Sequence, residues 1–238
     1  MERIDDIGFG GFRLIQDTEG FCYGVDAVLL ADFADLPEGC RVADLGCGNG
    51  IIPLILEAKF RPSYIAGIEL QRGAASLAER NMELNGLSGK AEIFCCDVLE
   101  APDMLGAESF DAAVCNPPYF EKGRGPGNPS PALNAARSET SAGLGDFLMC
   151  ASRLLKPRGK LCVIHRPSRL ADLFEAGRAC GLEPKILRMV APRPSEAPNM
   201  VLACFVKGAG REIRMLPQLC VRNSDGSYSD ELNAIYGR

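Results

Sequence analysis

From residue 41 to residue 207, strand-length apolar runs alternate with helix-length amphipathic segments, and this rhythm constrains the fold more than any other feature of the chain. "RVADLG" is followed by "IIPLILEAKF", and "YIAGIEL" by "RGAASLAERNMELNG" with Gly86 as its C-cap. "KAEIFCCD" and "FDAAVCN" supply a third and a fourth strand. A helix over "LGDFLMCASRLL" and a turn "KPRGK" lead to "KLCVIH", then "SRLADLFEAGRACG", "EPKILRMVAP" and "NMVLACFVKG". Strands that are apolar nearly throughout must be buried on both faces, which parallel strands joined by crossover helices achieve. The expectation is an α/β fold: a seven-stranded, mostly parallel sheet with helices on both faces. The last two strands are joined only by a short polar connector, "RPSEAP", so the final strand should return antiparallel.

The flanks fall outside this rhythm. Residues 1–40 hold a strand-like "GFRLIQD" and an apolar helix "DAVLLADFA"; residues 207–238 hold basic residues, an "SDGS" turn and a short helix. Both read as extensions of one domain spanning residues 1–238, with the core at 41–206. Residues 121–143 lack periodicity and are rich in Gly, Pro, Ser and Asn, as a functional or disordered loop would be.

Composition removes several classes. No apolar stretch approaches the ~20 residues needed to span a bilayer, and the start lacks a secretory apolar region, so a cytoplasmic protein is expected. The 11 cysteines are odd in number and sit mostly inside apolar strings, where they pack as small hydrophobes. No C-x-x-C pair occurs and His165 is the sole histidine, which argues against a metal. Net charge is −5, but unevenly spread: residues 1–150 carry −12 and residues 151–238 carry +7. That asymmetry suits either an anionic partner for the second half or an ordinary solvated surface.

Chemistry gathers where the strands end. In "VADLGCGNGIIPL" the glycines at 46, 48 and 50 allow a ligand close to the backbone, as many nucleotide folds require. Asp44 can face an ammonium group or order the loop, and Glu69 can accept both hydroxyls of a ribose. Asp97 suits the amino group of an adenine. Glu69 fits a dinucleotide fold equally well, but Asp97 and the G-x-G-x-G pattern favour S-adenosylmethionine. These features resemble the seven-stranded, Rossmann-like class I methyltransferases. The resemblance implies that Asp44 and the turn Gly46, Cys47, Gly48 and Gly50 line the methionine side. It also implies that Glu69 holds the ribose, that Asp97 meets the adenine, and that Leu70 and Val98 sandwich the ring.

Strand four should end beside the transferable methyl, and there the chain places Asn116-Pro117-Pro118-Tyr119. An amino group conjugated to a ring or carbonyl attacks a sulfonium poorly, because its lone pair is delocalised. Acceptors on both N–H bonds would fix it and favour charge developing on nitrogen. Asn116 offers a side-chain oxygen, Pro117 a carbonyl stiffened by the neighbouring Pro118, and Tyr119 a stacking face, with Asn116 also adjoining the cofactor. Phe120 is either a second platform or core.

N-P-P-Y resembles the motif of methyltransferases acting on exocyclic amino groups. The flanks resemble the bacterial family that methylates the 6-amino group of adenosine 37 in valine tRNA. Asp26, Leu29, Leu30 and Ala31 match its Asp-x-x-Leu-Leu-Ala, Ala136, Arg137 and Glu139 its Ala-Arg-x-Glu, and "NPPYFEKG" and "DGSYSDELNAIY" match further on. Ser138 departs from the histidine of such relatives. The resemblance implies a tRNA substrate, with Lys122, Arg124 and Arg137 near phosphates and Arg188, Arg193, Arg211, Arg214 and Arg222 along the backbone. Tyr23 to Asp26 either close over the methionine end or pack as helix. Other readings stay open: a release-factor-type protein-glutamine methyltransferase, a cofactor-binding RNA module without catalysis, and an NAD-dependent oxidoreductase. Composition leaves oligomeric state undetermined.

Overall fold

The computed structural model describes residues 1–17, 23–117 and 142–237. The strand rhythm becomes a mixed sheet of β3 (Arg41–Leu45), β4 (Tyr64–Glu69), β5 (Ala91–Cys95), β6 (Phe110–Cys115), β7 (Leu155–His165), β8 (Leu182–Ala191) and β9 (Met200–Lys207). Across the sheet these run β8-β9-β7-β6-β3-β4-β5. β9 pairs antiparallel with both β7 and β8, while the others pair parallel. The antiparallel return expected from the short "RPSEAP" connector is therefore present.

Alternate residues of one strand enter different cores. Val42, Ile65, Ala112 and Val114 belong to one buried cluster; Ala43, Leu45, Ala66, Ile68, Ala113 and Cys115 belong to the other. The first cluster is closed by α1 (Val25–Phe33), α2 (Ile51–Phe60) and Met82 of α3 (Arg72–Leu84). The second is closed by α4 (Ala101–Leu105), α5 (Leu144–Leu154) and α6 (Leu170–Ala179). Cys162 and Cys204 are buried in facing strands, in keeping with the packing role expected of cysteine. No helix among the described residues is long and apolar enough to cross a membrane.

Three features depart from the expected pattern. The polar start forms β1 (Glu2–Asp6), a hairpin partner of β2 (Arg13–Asp17) outside the main sheet. The segment expected to turn at 156–160 lies inside β7, where the register against β6 jumps between Phe110 and Ala112. Arg158 at φ 67° takes up the extra length. Lastly, β10 (Arg214–Met215) and β11 (Leu219–Cys220) add to the β8 edge and give nine strands, before α7 (Asp230–Ile235).

Candidate active site

β3 and β6 are parallel neighbours, and their register aligns Asp44 with Val114 and Leu45 with Cys115. The glycine turn after β3 and Asn116 after β6 therefore leave the sheet side by side, at the carboxyl ends where open α/β sheets bind ligands. Gly46, Gly48 and Gly50 all adopt positive φ, between 55° and 83°. A side chain at Gly50 would meet Met82 Cε at 3.0 Å and Ala78 Cβ at 3.2 Å, so this glycine lets α2 start against α3. Among the described residues nothing lies within 4 Å of a Cβ built on Gly48, which leaves that stretch of backbone approachable from them.

The acids around the turn have distinct roles. Asp44 is fully buried, and neither carboxylate oxygen has a hydrogen-bond partner among the described residues. Burial, reinforced by the nearby Glu69 charge, pushes its carboxyl up to about 8. No amide of the glycine turn reaches it among the described residues. Glu69 orders the loop instead: Gly48 N donates to Oε2 at 2.9 Å and Gln71 N to Oε1 at 2.8 Å. Each oxygen can still accept a further bond, as from a ribose hydroxyl. Asp97 accepts from Leu99 N at 3.0 Å, a local turn bond. Val98 is buried, Leu70 is half-buried, and both follow strand ends. Cys47 is buried with its sulfur toward Gly67, where a Cβ would come within 2.9 Å of it, so it can serve the site only through its backbone.

Asn81 on α3 braces the turn from outside. Ile15 N donates to its Oδ1 at 2.7 Å, and its Nδ2 donates to Ile15 O at 3.1 Å and Asn49 O at 2.9 Å. One buried amide thus ties the N-terminal hairpin to the glycine turn.

Asn116 is half-buried beside the turn, and its Nδ2 donates to Asp26 Oδ2 at 2.9 Å. Pro117 is buried. Pro118, Tyr119, Phe120, Lys122, Arg124, Ala136, Arg137, Ser138 and Glu139 lie outside the described residues. Among the basic candidates, Arg188 is ion-paired to Glu231 and donates to Pro217 O at 3.0 Å. Arg222 donates to Gly226 O at 2.7 Å and stacks on Tyr228. These two brace the C-terminal extension, Arg193 pairs with Glu196 at 3.3 Å, and Arg211 and Arg214 are exposed. The sequence signals at strand ends located the acids and glycines, whereas nothing local in the sequence marked the Asp26–Asn116 bond.

The residues present fit S-adenosylmethionine. An unpartnered buried carboxylate at the turn matches a cationic methionine end, and Glu69 keeps acceptor capacity for hydroxyls.

Comparison with known proteins agrees. The methyltransferase small domain model matches residues 24–175. A Porphyromonas gingivalis protein named tRNA1(Val) (adenine(37)-N6)-methyltransferase is 30% identical, over 95% of this chain and 91% of its own. A protein of the same name from Dickeya chrysanthemi is 28% identical, over 98% and 93%. The solved structure of an Agrobacterium tumefaciens protein described as a predicted O-methyltransferase shares the fold, with a TM-score of 0.70 at 24% identity, over 89% of this chain and 95% of its own. With the glycine turn, the acids and the strand order already in place, the chain belongs to the methyltransferase small domain family and is an S-adenosylmethionine-dependent methyltransferase.

Proposed function

We propose that the chain methylates the exocyclic 6-amino group of adenine in tRNA, at adenosine 37 beside the anticodon of valine tRNA. The observation that carries this reading is the placement of Asn116 beside the glycine turn, with its amide nitrogen engaged by Asp26. Nearly full-length similarity to relatives named for that activity supports the acceptor. S-adenosylmethionine, when bound, supplies an electrophilic methyl on a sulfonium.

The remaining chemistry belongs to the chain. Asp44 faces the cationic end of the cofactor, and its carboxyl gives up its proton as that cation arrives. Glu69 holds ribose hydroxyls while keeping the turn in place. Asn116 Oδ1 accepts one N–H of the acceptor amine and the Pro117 carbonyl the other. Both bonds strengthen as the nitrogen becomes positive in the transition state, so they lower the barrier more than they tighten binding. The proton leaves after transfer, so no strong base is required. Tyr119 and Phe120 would stack the base, and Lys122, Arg124 and Arg137 would meet phosphates. The cytoplasm, where tRNA is abundant, is the matching compartment.

The test is mass spectrometry of nucleosides from bulk tRNA incubated with the protein and methyl donor, beside a parallel incubation with release factor. N6-methyladenosine in valine tRNA supports the reading. Label in a release-factor glutamine with none in tRNA replaces it, because an amide nitrogen would fit the same clamp.

A further inference from the structure

A side-chain amide can serve as acceptor only if its oxygen, not its nitrogen, faces the incoming amine. Turned about by half a rotation, Asn116 would present N–H to N–H and repel the group it should grip. Something must choose between the two orientations. The choice falls 90 positions away in sequence, where Asp26 in the first turn of α1 accepts the Asn116 Nδ2 hydrogen at 2.9 Å.

We propose that Asp26 is a positioning residue for this reaction: its carboxylate fixes the Asn116 amide with Oδ1 toward the acceptor and polarises it. The inference rests on the acceptor-amine reading above. An ionised carboxylate only accepts hydrogen bonds, so the reversed amide would set oxygen against oxygen. The same bond draws electron density toward Oδ1 and makes it a stronger acceptor when the acceptor nitrogen turns positive. Asp26 is itself held firmly. The five residues that follow it, Ala27 to Ala31, are all buried, and α1 packs against α2, which starts at the glycine turn. Gly24 is the second constraint. Its φ is −109°, open to any residue, yet a Cβ there would stand 2.6 Å from Asp26 Oδ1. The backbone would allow a side chain at 24, but that side chain would displace the carboxylate from this seat.

The experiment is a kinetic cycle with Asp26→Asn, Asn116→Ala and the double variant, run on whichever acceptor the wild-type protein labels. Asp26→Asn keeps size and hydrogen-bonding capacity but lets both amides rotate. The expected result is a kcat about 10- to 100-fold lower, with KM and S-adenosylhomocysteine affinity within about threefold. In the Asn116→Ala background the same change should then cost nothing further, because there is no amide left to orient. Gly24→Ala, which displaces the carboxylate without removing it, should follow the same pattern. A purely structural Asp26 would instead lower melting temperature and cofactor affinity, and would act equally in both backgrounds. Additive losses therefore overturn the inference while leaving the methyltransferase reading intact. Absence of label in both tRNA and release factor, from a wild-type protein that binds S-adenosylhomocysteine, removes both.

Discussion

Replacing Asp44 with Asn should stabilise the ligand-free protein increasingly as pH rises. The folded carboxyl lies at about 8, raised from 3.8 by burial and by the Glu69 charge. Between those values the folded chain keeps a proton that the unfolded chain has released, so stability falls as pH rises through the window. The gap is about four units at ~1.4 kcal/mol each, which gives a ceiling of roughly 6 kcal/mol between about pH 4 and about pH 8. Asn has no such proton to keep. Its buried amide adds an offset of its own, but that offset is independent of pH and cancels from the slope. Even a third of the ceiling moves the melting midpoint by roughly 4–8 °C for a chain of this size. Urea denaturation of both proteins across the window, without ligand, reads the difference directly. Binding offers a second readout: the cationic end of S-adenosylhomocysteine should restore the Asp44 charge and release a proton. Wild-type affinity should then improve with pH toward about 8 while the variant stays weak and flat. Parallel stability profiles for the two proteins would refute the reasoning, since they would mean that Asp44 ionises as freely in the fold as outside it.

Asn116→Ala should lower turnover by about 10²-fold or more with cofactor affinity unchanged within severalfold, as for loss of a transition-state hydrogen bond; labelled methyl transfer and calorimetry measure the two. Gly50→Ala should cost about 2–4 kcal/mol, because φ 83° strains any side chain and the new methyl would press on Met82 and Ala78; thermal melting should fall by roughly 5–10 °C. His165 is held neutral by burial and by the positive charges of Arg169 and Arg166, which lower it from 6.5 to about 4. The unfolded chain takes up a proton there that the folded chain refuses, so acidification from about pH 6.5 to about pH 4 should cost up to ~3 kcal/mol. His165→Gln should remove that slope from a urea titration series.

The central sheet was legible because its strands carry their environment in their composition. "VADL" and "AAVC" are apolar at every position but Asp44, and the structure buries their alternate residues in separate cores. β1 offered no such signal: Glu2–Asp6 is almost wholly exposed and owes its conformation to pairing with β2. α4, which carries Pro102 in its first turn, is too short for periodicity to reveal. In the "KPRGK" segment, residues suited to a turn are accommodated as an irregularity within β7, because β6 and β9 flank the strand on either side. The acids and glycines of the site could be read because each ends a strand. The partnership of Asp26 with Asn116 could not, since it depends on α1 folding back beside the end of β6. Side-chain competition also escaped the sequence: Arg188 and Arg222 look like free cations in the chain but are tied to Glu231 and Tyr228 in the fold.

The Asn81 amide couples the opening hairpin to the glycine turn proposed to hold the methyl donor. Ile15 and Asn49 share one side chain, so a disturbance of the first strands reaches the turn proposed to receive the cofactor through this buried amide as well as through the packing of Leu14 and Phe9 in the same core. A tag fused ahead of Met1, or the loss of the hairpin, should therefore weaken cofactor capture without touching any atom that meets it.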